Sequence, residues 1–257
     1  MSNRRFLGVC RLSVALVCAF GLTGAAAYAD MPDVVFQISA ESSLGSATVD
    51  IMADWGDYDP VAETWSYEMP AILILKSGGT SLAYVDGFTV NIKEDPEVNL
   101  TFSVQAGSVD TTFRIASSLL TFPTINSPEG LVSAGYTVTD RNANGATLTG
   151  LADGYGYLAK YNGYAGDIPP QGTTFAQGLS VVETAVPFGT KTESFESPIG
   201  GGYSPIGTPV SSISSLAHFE LSARDLGSGT SHFEVVPEPG ALSLLVIGAL
   251  SLLRRRQ

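Results

Sequence analysis

The sequence predicts an all-β protein, a single β-sandwich of the jelly-roll or immunoglobulin-like kind, set between an N-terminal signal peptide and a short C-terminal hydrophobic helix. Three observations carry this. The dominant hydrophobic period in the body is two, as in Val98-Asn99-Leu100-Thr101-Phe102-Ser103-Val104-Gln105. Turn signals separate such runs, at Ser77-Gly78-Gly79, Asp95-Pro96, Asn144-Gly145, Gly154 and Asn162-Gly163. No segment of ten or more residues outside the two ends has a helical period.

The elements follow in order. Residues 1–29 read as a signal peptide: Arg4, Arg5 and Arg11 supply positive charge and Leu12 to Leu22 an apolar stretch. Ala27-Tyr28-Ala29 is then a small-x-small site for signal peptidase, with Asp30 as the mature N-terminus. The body, residues 30–235, fits one all-β domain, since these run to about 200–250 residues. Phe88-Thr89-Val90-Asn91-Ile92-Lys93 alternates like the run at Val98, and Tyr136 to Thr139 and Ala217 to Leu221 are shorter instances. Ala71-Ile72-Leu73-Ile74-Leu75 is apolar throughout, the pattern of a strand buried on both sides. Residues 187–215 are rich in Gly, Pro and Ser and are expected to form one long loop within the fold. That segment repeats a tetrapeptide, Ser197-Pro198-Ile199-Gly200 and Ser204-Pro205-Ile206-Gly207.

Charge narrows the partners. The chain carries 25 acids against 13 bases, and from Asp30 to Val236 the ratio is 24 to 7, a net charge of −17. Such a body is unsuited to nucleic acid, whose phosphates need clustered Lys and Arg. Both cysteines, Cys10 and Cys18, precede it, so it has no disulfide framework and no thiol nucleophile.

The C-terminal segment, residues 236–257, is the most specific. Pro237-Glu238-Pro239-Gly240 leads into a largely apolar run of thirteen residues, Ala241 to Leu253, and then Arg254-Arg255-Arg256-Gln257. As a helix the run spans about 20 Å, short of a ~30 Å hydrocarbon core, and the arginines would hold its end on the cytoplasmic side. This order of motif, short apolar helix and terminal arginines resembles the PEP-CTERM sorting domain of Gram-negative and related bacteria. The resemblance implies recognition by an exosortase, a membrane-embedded cysteine protease, with cleavage near Pro237-Glu238-Pro239. It implies anchoring in the inner membrane before processing, and delivery afterwards to the cell surface or extracellular matrix. It implies nothing about the activity of the body. A plain C-terminal tail anchor is the alternative reading of the same residues.

Catalytic motifs are absent from the sequence: it holds no Gly-x-Ser-x-Gly elbow, no His-Glu-x-x-His helix and no phosphate-cradling glycine loop. His218 and His232 each precede Phe-Glu, and a hairpin centred on Leu226 would face His218 with Glu234 and Glu220 with His232, a set able to hold Zn²⁺ or to form two ordinary polar pairs. Asp54, Asp57 and Asp59 place three acids within six positions, suited to Ca²⁺ or to a plain exposed turn. Asp140-Arg141-Asn142-Ala143-Asn144-Gly145 opens like an EF-hand loop but has Leu151 at the twelfth position, so a hairpin turn at Asn144-Gly145 is the simpler reading. Trp55 and Tyr164 are the aromatic candidates for stacking on sugar rings, with ordinary packing as the plainer account. The expectation is an exported, non-catalytic surface or matrix protein without a cofactor. A module binding exopolysaccharide is the second reading, and a secreted hydrolase using carboxylates the third.

Overall fold

The computed structural model describes residues 31–164 and 168–238. In chain order the strands begin β1 (Val34–Ser42), β2 (Gly45–Met52), β3 (Asp57–Asp59), β4 (Thr64–Glu68), β5 (Leu73–Ser77) and β6 (Thr80–Lys93). Next come β7 (Glu97–Ala106), β8 (Thr111–Ser117), β9 (Leu120–Ile125), β10 (Pro128–Thr139), β11 (Ala146–Gly150) and β12 (Tyr157–Tyr161). The last are β13 (Thr173–Gly178), β14 (Val181–Thr184), β15 (Thr190–Ser197), β16 (Ser204–Pro205), β17 (Val210–Leu221) and β18 (Leu226–Pro237). Among the described residues the only helix is a 3-10 turn at Ala53–Trp55, so none is long and apolar enough to cross a membrane. The signal peptide and the C-terminal apolar run lie outside the described residues.

The strands form two antiparallel sheets. The first runs β13-β12-β17-β8-β1-β2, with β9, β11 and β14 attached beside that path. The second runs β15-β10-β18-β7-β6-β4-β3, with β5 and β16 attached. The two share one hydrophobic core, the arrangement of a β-sandwich. Alternation in β6 and β7 sends Phe88, Val90, Ile92, Val98, Leu100, Phe102 and Val104 into that core, and their polar neighbours face outward. At its centre Phe219 of the first sheet lies 5.7 Å, ring to ring, from Phe102, Phe113 and Tyr136.

Gly229, in β18, is paired with Phe102 on one side and Tyr136 on the other. Their rings lean over it: a Cβ there would lie 2.5 Å from Tyr136 and 2.6 Å from Phe102. Gly229→Ala is therefore expected to cost about 1–3 kcal/mol by overpacking, read as a lower urea midpoint. An unchanged midpoint would show that the rings move aside freely.

Four expectations need correction. Ala71–Leu75 is not a doubly buried strand: β5 pairs only with β6, and Ile72 and Ile74 are exposed. An apolar run carries no period, so it cannot distinguish a central strand from an edge. Residues 187–215 are not one loop, for they hold β15, β16 and the start of β17. β15 is a polar edge strand with most residues exposed, which removes the apolar stripe that would have announced it. Asn144-Gly145 is not a hairpin turn: β10 lies in the second sheet and β11 in the first. Likewise β17 and β18 belong to different sheets, and Ala223 to Asp225 form a corner between them.

The two corners lock together. Arg141 N–H donates to Asp225 at 3.1 Å, and the Asn142 amide donates to the Ala223 carbonyl at 2.8 Å. Asp140 is buried and accepts backbone N–H bonds from Asn142, Ala143, Gly145 and Phe188 at 2.9–3.1 Å. The carboxylate that resembled the first ligand of a calcium loop is thus the internal acceptor of a crossover.

Candidate functional site

The outer face of the second sheet is built from the polar positions of alternating strands. Across β6, β7, β18, β10 and β15 the register sets Thr89, Thr101, Thr230, Gly135 and Ser194 in one row. The next row holds Asn91, Asn99, His232, Ser133 and Glu196. Lys93, Glu97 and Glu234 begin a third. An open groove of about 840 Å³ lies over the β7, β18, β10 and β15 members of the first two rows. Ile199 lines its side and is 95% exposed. It sits on the segment joining β15 to β16, where Gly200, Gly201 and Gly202 all have positive φ and open space around them.

A charged cluster closes one end of this face. Glu97 is almost buried and holds Lys93 Nζ at 2.6 Å, and its other oxygen accepts from the Asn99 amide. Because that amide donates to Glu97, Asn99 Oδ1 faces His232 Nδ1 at 2.7 Å, so Nδ1 carries the proton. His232 Nδ1 also lies 3.6 Å from Glu97, and its Nε2 lies 3.5 Å from Glu234. Tyr203 donates its hydroxyl to Glu234 at 2.8 Å, which ties the glycine segment to the sheet. Burial pushes the Glu97 carboxyl up, but the Lys93 and Asn99 hydrogen bonds and the charges of Lys93 and His232 outweigh it and hold it below the usual carboxylate range. The hydrogen bond to Glu234, with burial and the charges of Glu234 and Glu97, pushes Tyr203 up to about 12.

The residues singled out from sequence are dispersed. His218 lies in the first sheet opposite Arg114, while His232 lies in the second beside Asn99 and Ser133. Burial, and then the Arg114 guanidinium, hold the His218 imidazole below its usual value. Asp54 is in the 3-10 turn and Asp57 and Asp59 are in β3, where Asp59 accepts from the N–H groups of Val61 and Ala62. Among the described residues no three His, Cys, Asp or Glu side chains are grouped to hold a metal ion. Trp55 is 52% exposed, with its ring 6.4 Å from that of Tyr67. Tyr164, 78% exposed, follows β12 of the first sheet, whereas Trp55 lies in the 3-10 turn that leads into β3 of the second.

Of the sorting motif, Pro237 ends β18 opposite Pro128, and Glu238 N–H donates to the Ser127 carbonyl at 2.9 Å. Pro239, Arg254, Arg255 and Arg256 lie outside the described residues, as do Ala27, Ala29 and Asp30. The groove residues were not singled out from sequence. The available signal was the composition of their strands, whose outward positions are mostly Thr, Ser and Asn rather than Lys and Glu.

No protein-family model matches the chain, and no curated protein matches it. Among solved structures it has a slight likeness to the infectious bursal disease virus VP2 subviral particle, at 13% identity and a TM-score of 0.10, over 80% of this chain and 66%, just under two thirds, of that one. A likeness of that size carries no argument, and the reading of this chain rests on its own residues.

Proposed function

We propose that this chain is an exported cell-surface or extracellular-matrix protein, sorted by an exosortase-type system and acting non-catalytically in structure or adhesion. The observation that carries the reading is the order of Pro237-Glu238-Pro239, a largely apolar run of thirteen residues and three arginines, joined to β18 without a spacer. The first proline is the last residue of a strand in the middle of the second sheet, so a tail held at a membrane would hold the body by one of its most securely paired strands. Signal peptidase would release the body at Asp30, and no nucleic acid or cofactor enters the scheme. The jelly-roll form of the sandwich is favoured over the immunoglobulin form. Adjacent strands β10 and β18 fold over together into the adjacent strands β11 and β17, and each sheet exceeds the layers of a seven-strand domain.

The second reading, binding of exopolysaccharide, is favoured by the polar groove. The hydrolase is disfavoured, since glycoside hydrolysis takes two carboxyl groups flanking the scissile bond. Glu196 is the one carboxylate that lines the groove, and beyond it Glu97 is engaged by Lys93 and Asn99 and Glu234 by Tyr203. The test is replacement of Pro237, Glu238 and Pro239 by alanine in the native host, with mass spectrometry of both termini. The expected result is a wild-type chain starting at Asp30 and shortened at its C-terminus, and a variant retained full-length in the inner membrane. Equal processing of both would overturn the sorting reading.

A further inference from the structure

We propose that the groove on the outer face of the second sheet binds an uncharged polysaccharide chain, with Ile199 as an apolar strap along its side. This deepens the adhesion reading and rests on it for the setting in which such a polymer is met. Its own support is the chemistry of the groove.

Thr101, Ser133, Ser194 and Thr230 line the floor. Each can donate and accept, as each sugar hydroxyl does, so a polyol can exchange its bonds to water for bonds to this surface. No Lys or Arg lines the groove, its one imidazole, His232, is flanked by Glu97 and Glu234 at 3.6 and 3.5 Å, Glu196 adds a further carboxylate, and the body carries a net charge of −17. A polyuronate or polyphosphate would meet repulsion there, and a neutral glycan would not.

The floor is kept open by a glycine that packing does not require. A Cβ at Gly135 would meet Ser194 at 3.6 Å and the Glu193 carbonyl at 3.7 Å, ordinary contact distances, and its backbone is not left-handed. The missing side chain leaves space in a row of Thr and Ser. Past Gly135 the groove continues as a recess of about 230 Å³ lined by Thr137, Thr192 and Ser228. Three rows of outward residues span roughly 14 Å along the strands, room for a short run of sugar rings.

The wall gives a second, independent observation. The repeated tetrapeptide buries Ile206 but leaves Ile199 95% exposed at the groove, on a run of three glycines anchored by the Tyr203–Glu234 hydrogen bond. The C–H face of a sugar ring would cover that side chain and recover the transfer free energy that its exposure forgoes.

The test uses the full chain in mild detergent, with affinity electrophoresis through gels containing a β-1,4-glucan, an α-glucan, a galactomannan or a polyuronate. At least one neutral polymer is expected to retard the protein, and the polyuronate is not. Gly135→Val, a β-branched residue suited to a strand, should weaken that retardation at least tenfold with an unchanged melting temperature. Ile199→Ser should weaken it by a smaller factor. Failure of all three neutral polymers, preference for the polyuronate, or undiminished binding by Gly135→Val would overturn the proposal. So would loss of binding in Trp55→Ala with retention in Gly135→Val, which would move the site to the aromatic edge. Replacing the sorting motif should leave binding intact, so failure of the sorting reading and failure of this one are told apart.

Discussion

Phe219→Ala is expected to lower folding stability by about 3–5 kcal/mol. Phe219 is fully buried in β17, and its ring meets Phe113 from its own sheet and Phe102 and Tyr136 from the facing one. Truncation removes the transfer free energy of the ring and leaves a void between two sheets whose hydrogen-bonded backbones cannot collapse to fill it. Without cysteines in residues 31–238, no cross-link limits the unfolded chain, so the core bears the loss directly. Urea unfolding followed by the fluorescence of Trp55 and Trp65 measures it, with Val61→Ala at an exposed position as the unchanged control. A loss below about 1 kcal/mol would mean that the two sheets do not share this core.

The strands that could be read from sequence are those with two different faces. β6 and β7 present Phe, Val, Ile and Leu inward and Thr, Asn and Ser outward, so the period of two is visible in one dimension. β15 has only Phe195 as an apolar residue, and edge position, not propensity, makes it a strand: β10 supplies its hydrogen bonds. The start of β17 was hidden differently. Ser212, Ser214 and Ser215 are buried, and Ser215 can lie there because its N–H bonds Ser117 and its hydroxyl bonds Tyr157.

The corners misled for a related reason. Asn-Gly and Asp-Leu-Gly between alternating runs look alike whether the chain returns in its own sheet or crosses to the other, because the partner strand is distant in sequence. Thus β10 finds β18 about 100 residues on, and β17 finds β8 a similar distance back. The candidate site follows from those pairings. Thr101, Thr230, Gly135 and Ser194 each read as an ordinary solvated strand position, and only the register sets them in one row. His232 was considered as a metal ligand or polar partner opposite Glu220, and its neighbours are instead Asn99, Glu97 and Glu234.

Asp140 should be a polar residue on which the fold depends strongly, and the part of its contribution that comes from ionisation should be lost in acid. Burial raises its carboxyl, but four backbone N–H donors, on Asn142, Phe188, Gly145 and Ala143, outweigh that and hold it below the usual carboxylate value. A carboxyl depressed in the folded state adds stability that is fully present above its unfolded pKa, about 3.9, and is lost as the pH falls through the folded value. Asp140→Ala strands all four donors inside the crossover that links β10 to β11. Asp140→Asn should fare little better. Each carboxylate oxygen accepts two of the four bonds, so either orientation of the amide turns an NH₂ toward two N–H groups. Both variants should melt well below the wild type at neutral pH, with a gap that is constant down to about pH 4 and narrows below it. Thermal melts across that range decide the matter. A gap that persists unchanged in strong acid would assign the loss to shape rather than charge. Equal melting of Asp140→Asn and wild type at neutral pH would mean that the loop needs only one acceptor oxygen.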